Sequence, residues 1–199
     1  AMFGLFAGLW EYCFRKDELH VLILGVDKAG KTTLLEKMKS MYTDFMGLEP
    51  EKILPTVGLN VGRIEVHKAK LIFWDLGGQS GLRSIWDKYY EEAHAIVFLV
   101  DSTAPDRFEE SKAALDRVLG SRDIAGAPLL VMANKQDVPG CHSADEVQEF
   151  YGVGHLDSRP VRVAGISAYT GDGIGESIFW LVDAIRRSPR AMLMSRQSR

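Results

Sequence analysis

Cysteine is scarce. Cys13 and Cys141 are the only two in 199 residues, too few for a disulfide framework, and the expectation is a reducing compartment. A long hydrophobic run is also missing: nothing approaches the roughly 18 apolar residues that a spanning helix needs. There is no surplus of basic charge. Lys and Arg total 24 against 27 Asp and Glu, for a net charge of −3, so no nucleic-acid partner is expected. The five histidines show no metal-ligand spacing, and neither internal repeats nor low-complexity tracts interrupt the chain. The length suits one domain with a real core, expected as a monomer.

What is present begins with Gly25-Val26-Asp27-Lys28-Ala29-Gly30-Lys31-Thr32. This is G-x-x-x-x-G-K-[ST], the loop that cradles the phosphates of a nucleoside triphosphate. Its context is the required one. Leu19–Leu24 is an apolar, branched run that reads as a buried strand, and Thr33–Met38 has helical spacing with Leu34, Leu35 and Met38 on one face. Gly25 and Gly30 permit backbone geometry closed to other residues. The loop N–H groups and the helix N-terminus then point at an anion.

A long Gly- and Pro-containing connection follows, carrying Thr56, and such loops are often functional. Leu59–Val66 and Lys70–Trp74 read as a hairpin turning at His67-Lys68. Its apolar phase changes between Val61 and Ile64, which predicts a bulge near Gly62. Trp74-Asp75-Leu76-Gly77-Gly78-Gln79 then ends a strand with a carboxylate and glycines. Asp75 suits a Mg²⁺ site reached through water, the Gly78 N–H a γ-phosphate oxygen, and Gln79 the orientation of an attacking water.

Two further strands, Ala95–Asp101 and Pro128–Ala133, flank a helix from Pro105 to Leu119. The second strand runs into Asn134-Lys135-Gln136-Asp137. Guanine presents N1–H beside an exocyclic NH₂, and one carboxylate, Asp137, can accept both. Adenine offers no such pair and would leave the acid unsatisfied. Asn134 is placed to tie the base edge to the phosphate loop, and the Lys135 stem to cover the ring. Ser143-Ala144-Asp145-Glu146 is a capping box. A last strand, Val161–Ile166, delivers Ser167-Ala168, where the Ala168 N–H can donate to guanine O6. Ile174, Ile178, Leu181, Val182 and Ile185 make the inner face of a closing helix.

The ends differ from the body. With Ala1 set aside, residues 2–16 form an amphipathic helix whose stripe holds Phe3, Phe6, Trp10 and Cys13. It either packs on the core or lies in a membrane surface or receptor groove. Met2-Phe3 lacks the myristoylation pattern. Residues 17–187 form the main domain, and 188–199 a basic tail without acids, expected to be disordered.

Taken together, Gly25–Thr32, Thr56, Asp75–Gln79, Asn134–Asp137 and Ser167-Ala168 resemble the small GTPase set over nearly the whole chain. Asp27 and the W-D-L-G-G-Q run are similar to the ADP-ribosylation factor family in particular. The long Lys31-to-Thr56 connection and Ile85-Trp86-Asp87-Lys88-Tyr89-Tyr90 resemble its ARF-related branch of the trans-Golgi. The resemblance implies an α/β Ras-like fold: a mostly parallel six-stranded sheet with helices on both faces. It implies GTP or GDP held by Asp27, Lys28, Ala29, Gly30, Lys31, Thr32, Thr33, Thr56, Gly78, Asn134, Lys135, Asp137, Ser167 and Ala168. Mg²⁺ would be held by Thr32, Thr56 and Asp75, and slow hydrolysis would rest on Gln79 and Lys31. The implied partners are an exchange factor, a GTPase-activating protein, effectors at Leu59, Trp74 and Tyr89, and a Golgi membrane or integral receptor met by the N-terminal helix. The implied role is a cytoplasmic switch in Golgi trafficking, peripheral on the membrane. A P-loop nucleotide kinase would have no use for Asn134–Asp137. A non-hydrolysing guanine-nucleotide scaffold of the same fold is the alternative.

Overall fold

Alternation along the buried strands explains the architecture. In β1 (Asp17–Leu24), Leu19, Val21 and Ile23 enter one apolar cluster, while Leu22 and Leu24 enter another. β4 (Ala95–Asp101) divides in the same way, Ala95, Val97 and Leu99 against Ile96, Phe98 and Val100. A strand that is apolar on both faces belongs inside a sheet covered twice. The computed structural model describes residues 17–45 and 47–197. The amphipathic helix expected over residues 2–16 lies outside them.

The six strands run in the order β2-β3-β1-β4-β5-β6, where β2 is Leu59–Val66, β3 Ala69–Leu76, β5 Leu129–Asn134 and β6 Val161–Gly165. Only the β2–β3 pair is antiparallel. α1 (Lys31–Tyr42) and α4 (Ile174–Arg187) cover one face, burying Leu34, Leu35 and Met38 with Ile174, Ile178, Leu181, Val182 and Ile185. The inner faces read from helical spacing are those found. The other face is covered by α2 (Phe108–Leu119), α3 (Ala144–Tyr151) and a 3₁₀ segment, Ser80–Tyr89, whose Trp86 is buried. Ser143 and Glu146 form the expected capping box. Because the chain leaves β1 for β3 on one side and β4 on the other, the carboxyl ends of these strands open a crevice at the sheet's switch point.

Two expectations are corrected. The β2–β3 ladder runs unbroken from Leu59↔Leu76 to Val66↔Ala69, with no bulge at Gly62. The phase change arises because β2 uses both faces: Gly62 and Ile64 are buried, while Val61 lies opposite Trp74. Gly62 is there for space, since a Cβ would come 2.4 Å from Leu35 Cδ1. The basic tail is also not disordered where it is described. Pro189–Gln197 forms α5, fastened by Arg190, which donates to the carbonyls of Tyr90, Glu91, Ala93 and Ala125. Among the described residues no helix is long and apolar enough to cross a membrane.

Candidate nucleotide site

The loop between β1 and α1 is built around Lys31. Its Nζ donates to the carbonyls of Gly25 and Val26, each at 2.9 Å. Burial drives its pKa down to about 8, against the pull of Asp75 and Asp27. The ammonium has thus lost water and holds only neutral acceptors, so phosphate oxygens would satisfy it well. Gly30 caps α1 in the left-handed region and leaves the helix N-terminus open toward the loop.

Beside it, three residues from three segments meet. Thr32 Oγ1 donates to Asp75 Oδ2 at 2.6 Å and lies 2.8 Å from Thr56 Oγ1, which reaches the same carboxylate oxygen at 3.3 Å. Asp75 is fully buried and its Oδ1 has no hydrogen-bond partner; burial raises its pKa. An orphaned, buried carboxylate oxygen next to two hydroxyls fits a hard cation such as Mg²⁺, which accepts one or two protein ligands and completes its shell with phosphate oxygens and water. Among the described residues no group of three or more His, Cys, Asp or Glu is placed to hold a metal by itself. A cation here would therefore depend on the nucleotide.

Gly78 presses against the phosphate loop. A Cβ on it would lie 2.4 Å from Lys31 Nζ and 2.5 Å from the Gly25 carbonyl, so no larger residue fits this contact. The Asp27 N–H donates to the Gly78 carbonyl at 3.2 Å. Gln79, next in the chain, is exposed.

The base end is an open cleft of about 230 Å³ lined by Gly30, Thr33, Asn134, Lys135, Asp137 and Ala168, among others. Asn134 is buried, donates from Nδ2 to the Ala29 carbonyl at 2.8 Å, and accepts the Ala168 N–H on Oδ1 at 2.9 Å. It therefore splices the phosphate loop to Ser167-Ala168. The Ala168 N–H expected for guanine O6 is engaged by Asn134 here. Ser167 Oγ donates to Asp137 Oδ1 at 2.6 Å, which aims the carboxylate and leaves Oδ2 for a ligand. Lys135 Nζ bonds Asp101 Oδ2 at 2.5 Å, extending its stem along the cleft.

Of the three residues expected to meet effectors, Trp74 and Tyr89 are brought together, ring centroids 5.4 Å apart, with His20 at 4.7 Å on the other side of the indole. Leu59, two positions along β2 from Val61, is 38% exposed.

Arg107 was missed by sequence reasoning. It precedes α2 and donates to Asp27 twice, to the carbonyl and to Oδ1, both at 2.7 Å. That hydrogen bond, with the guanidinium charge, holds the Asp27 carboxyl below the usual carboxylate range. Asp27 is thus paired with an arginine from its own chain. Nothing around Pro105-Asp106-Arg107 signals a partner 80 residues away.

A six-stranded sheet with one antiparallel edge, a Lys- and Thr-bearing phosphate loop, a D-x-x-G turn and an N-K-x-D base loop at one crevice define a small GTPase of the Ras-like fold. Comparison narrows the class. The family description "Arf: ADP-ribosylation factor family" matches residues 6–185, and the chain belongs to that family. It is 44% identical over 190 residues to human ADP-ribosylation factor-related protein 1, covering 94% of each chain. It is 40% identical over 194 residues to ADP-ribosylation factor-like protein 3 of Saccharomyces cerevisiae, covering 96% of this chain and 97% of that one. Among solved structures it is similar to the Arl6 BBS3 small GTPase of Trypanosoma brucei with the bound nucleotide analogue GppNp. There the TM-score is 0.74 at 28% identity, over 85% of this chain and 98% of the other.

Proposed function

We propose that this ARF-like GTPase is a GTP/GDP-controlled switch on Golgi membranes, slow to hydrolyse by itself. The observation that carries the switch is the meeting of Thr56 with Thr32 and Asp75. Thr56 comes from the long connection between α1 and β2. A γ-phosphate with its cation would add contacts to that hydroxyl, so occupancy of the γ-phosphate position would tip the segment toward its ordered, inward arrangement.

In the GTP state Lys31 would neutralise β- and γ-phosphate charge, and Thr32, Thr56 and Asp75 are the residues that would hold the cation. Bound Mg²⁺ would supply charge neutralisation at the phosphate oxygens. Gln79 orients the attacking water. Two arginines of the chain, Arg107 and Arg83, flank the phosphate loop, but Arg107 is committed to Asp27 and Glu110, and Arg83 to Glu110 and the Gly78 carbonyl. The unassisted rate is therefore expected at about 10⁻⁴ s⁻¹ or less, with an activating protein adding the missing positive charge. A slide of the β2–β3 hairpin along β1 would have to break and re-form the ladder from Asp17↔Ala69 to Ile23↔Asp75, and a shift of two residues would keep Gly62 and Ile64 inward where an odd slip would turn them out. Such a slide would release the apolar segment over residues 2–16 to a membrane or an integral receptor. Leu59, Trp74 and Tyr89 would then greet effectors.

The test loads purified protein with GTP and follows phosphate release and sedimentation with Golgi membranes. Gln79→Leu should bind GTP normally, hydrolyse at least tenfold more slowly with an activating protein, and stay on the membrane. A Phe3, Phe6 and Trp10 triple alanine variant should remain in the supernatant in both nucleotide states. Preference for ATP over GTP would end the reading. GTP binding with no hydrolysis under any activator would leave the scaffold alternative.

A further inference from the structure

A closed ring of hydrogen bonds joins the phosphate loop, the turn after β3 and α2. Starting at Gly78, its carbonyl accepts the Asp27 N–H at 3.2 Å. Asp27 is clamped by Arg107 at both its carbonyl and its carboxylate. Arg107 also donates to Glu110 Oε2 at 2.9 Å. The other oxygen of Glu110 takes Arg83 Nη2, and Arg83 Nε returns to the Gly78 carbonyl at 2.8 Å. Each carboxylate oxygen of Glu110 thus serves a different arginine.

The Gly78 carbonyl belongs to the peptide plane that leads into Gln79. That carbonyl is held by Asp27 on one side and Arg83 on the other, immediately before Gln79 caps the 3₁₀ segment. We infer that Glu110 is a positioning residue for hydrolysis: by holding Arg83 on the Gly78 carbonyl, it fixes the glutamine that aligns the attacking water. This rests on the GTPase reading above. Glu110 lies on α2, outside the phosphate loop, the D-x-x-G turn and the base loop. Its side chain is 41% exposed, so replacing it leaves no hole in the core. The acid is held in its charged form by the hydrogen bonds from Arg83 and Arg107.

The experiment uses the full chain preloaded with GTP, measuring single-turnover hydrolysis and, separately, release of a fluorescent GDP. Glu110→Ala leaves the two direct Arg107–Asp27 bonds in place, but it removes the Arg107–Glu110 pair as well as the hold on Arg83; Arg83→Ala cuts the Arg83 side alone. Hydrolysis is expected to fall about fivefold or more, while GDP release changes by less than about twofold. Glu110→Gln retains one acceptor oxygen and should lie between. Arg83→Ala should match Glu110→Ala, and the double variant should be no slower than either, since both cut the same circuit. Unchanged hydrolysis in the two single variants would overturn the proposal, as would equal factors on hydrolysis and GDP release. A wild type that binds no guanine nucleotide would sink the functional reading itself and the role of Glu110 with it. A wild type that hydrolyses normally beside unaffected variants would sink only the latter.

Discussion

Asn134 Nδ2 lies 2.8 Å from the Ala29 carbonyl, a hydrogen bond across 105 residues of sequence. With its Oδ1 on the Ala168 N–H, this one buried amide joins the phosphate loop to both base-side loops. Asn134→Ala is therefore expected to weaken GDP and GTP by the same factor, about 10- to 100-fold, the cost of leaving a buried donor and acceptor unpaired. Equilibrium titration with fluorescent GDP and a non-hydrolysable GTP analogue checks it. A loss confined to one nucleotide would contradict the splice. Gly30→Ala should act on the same contact, because a Cβ there would sit 2.4 Å from Asn134 Nδ2 and the backbone φ is +95°.

Asp137 presents a carboxylate oxygen not taken by Ser167. Converting it to the amide in Asp137→Asn turns an acceptor into a donor. Guanine would lose its bidentate partner, and xanthine, with a carbonyl in place of the exocyclic amine, would gain one. GTP affinity should fall by roughly 10³-fold or more while xanthosine triphosphate becomes the better ligand. Competition binding between the two decides the matter.

Gly62 lies where α1 packs on β2, away from the nucleotide crevice. Gly62→Ala forces Leu35 to move, its Cδ1 2.4 Å and its Cγ 2.9 Å from the new Cβ. A stability loss of about 1–3 kcal/mol is expected from overpacking, read as a lower urea midpoint. Nucleotide selectivity should stay as in the wild type.

His94 sets a pH dependence of stability. Its Nδ1 accepts the His20 N–H at 3.0 Å, so it is neutral in the fold. Burial, aided by His20 and Arg190, lowers its pKa from 6.5 to about 4. Between those values the unfolded chain binds the extra proton and the folded chain does not. The stabilisation is complete above pH 6.5 and drains away as pH falls toward 4, by an amount on the order of a few kcal/mol. His94→Asn keeps an acceptor without the titration, and its unfolding free energy should fall less steeply over that window. Parallel curves for the two proteins would remove His94 from the acid response.

The fold and the chemistry of the site were legible where they are local. A glycine loop between a strand and a helix, an acid at a strand end, and N-K-x-D each hold their recognition groups within a few residues. Hydrophobic spacing likewise named the buried faces of α1 and α4. The failures share one cause. Gly62 looked like a bulge because strand phase alone cannot show that β2 serves both faces of the sheet. The tail after Ser188 looked disordered because Arg190 is satisfied by backbone carbonyls of Tyr90, Glu91, Ala93 and Ala125, and a carbonyl carries no side-chain signature.

By itself, then, the sequence determined the ligand class and the layered α/β architecture, since both follow from short-range pattern and the fixed donors and acceptors of named side chains. Tertiary structure alone decided that Asp27 would meet Arg107 and that Glu110 would hold Arg83 on Gly78. Those pairs depend on strand order and register, which set the distance between residues dozens of positions apart and leave no trace in their immediate neighbours.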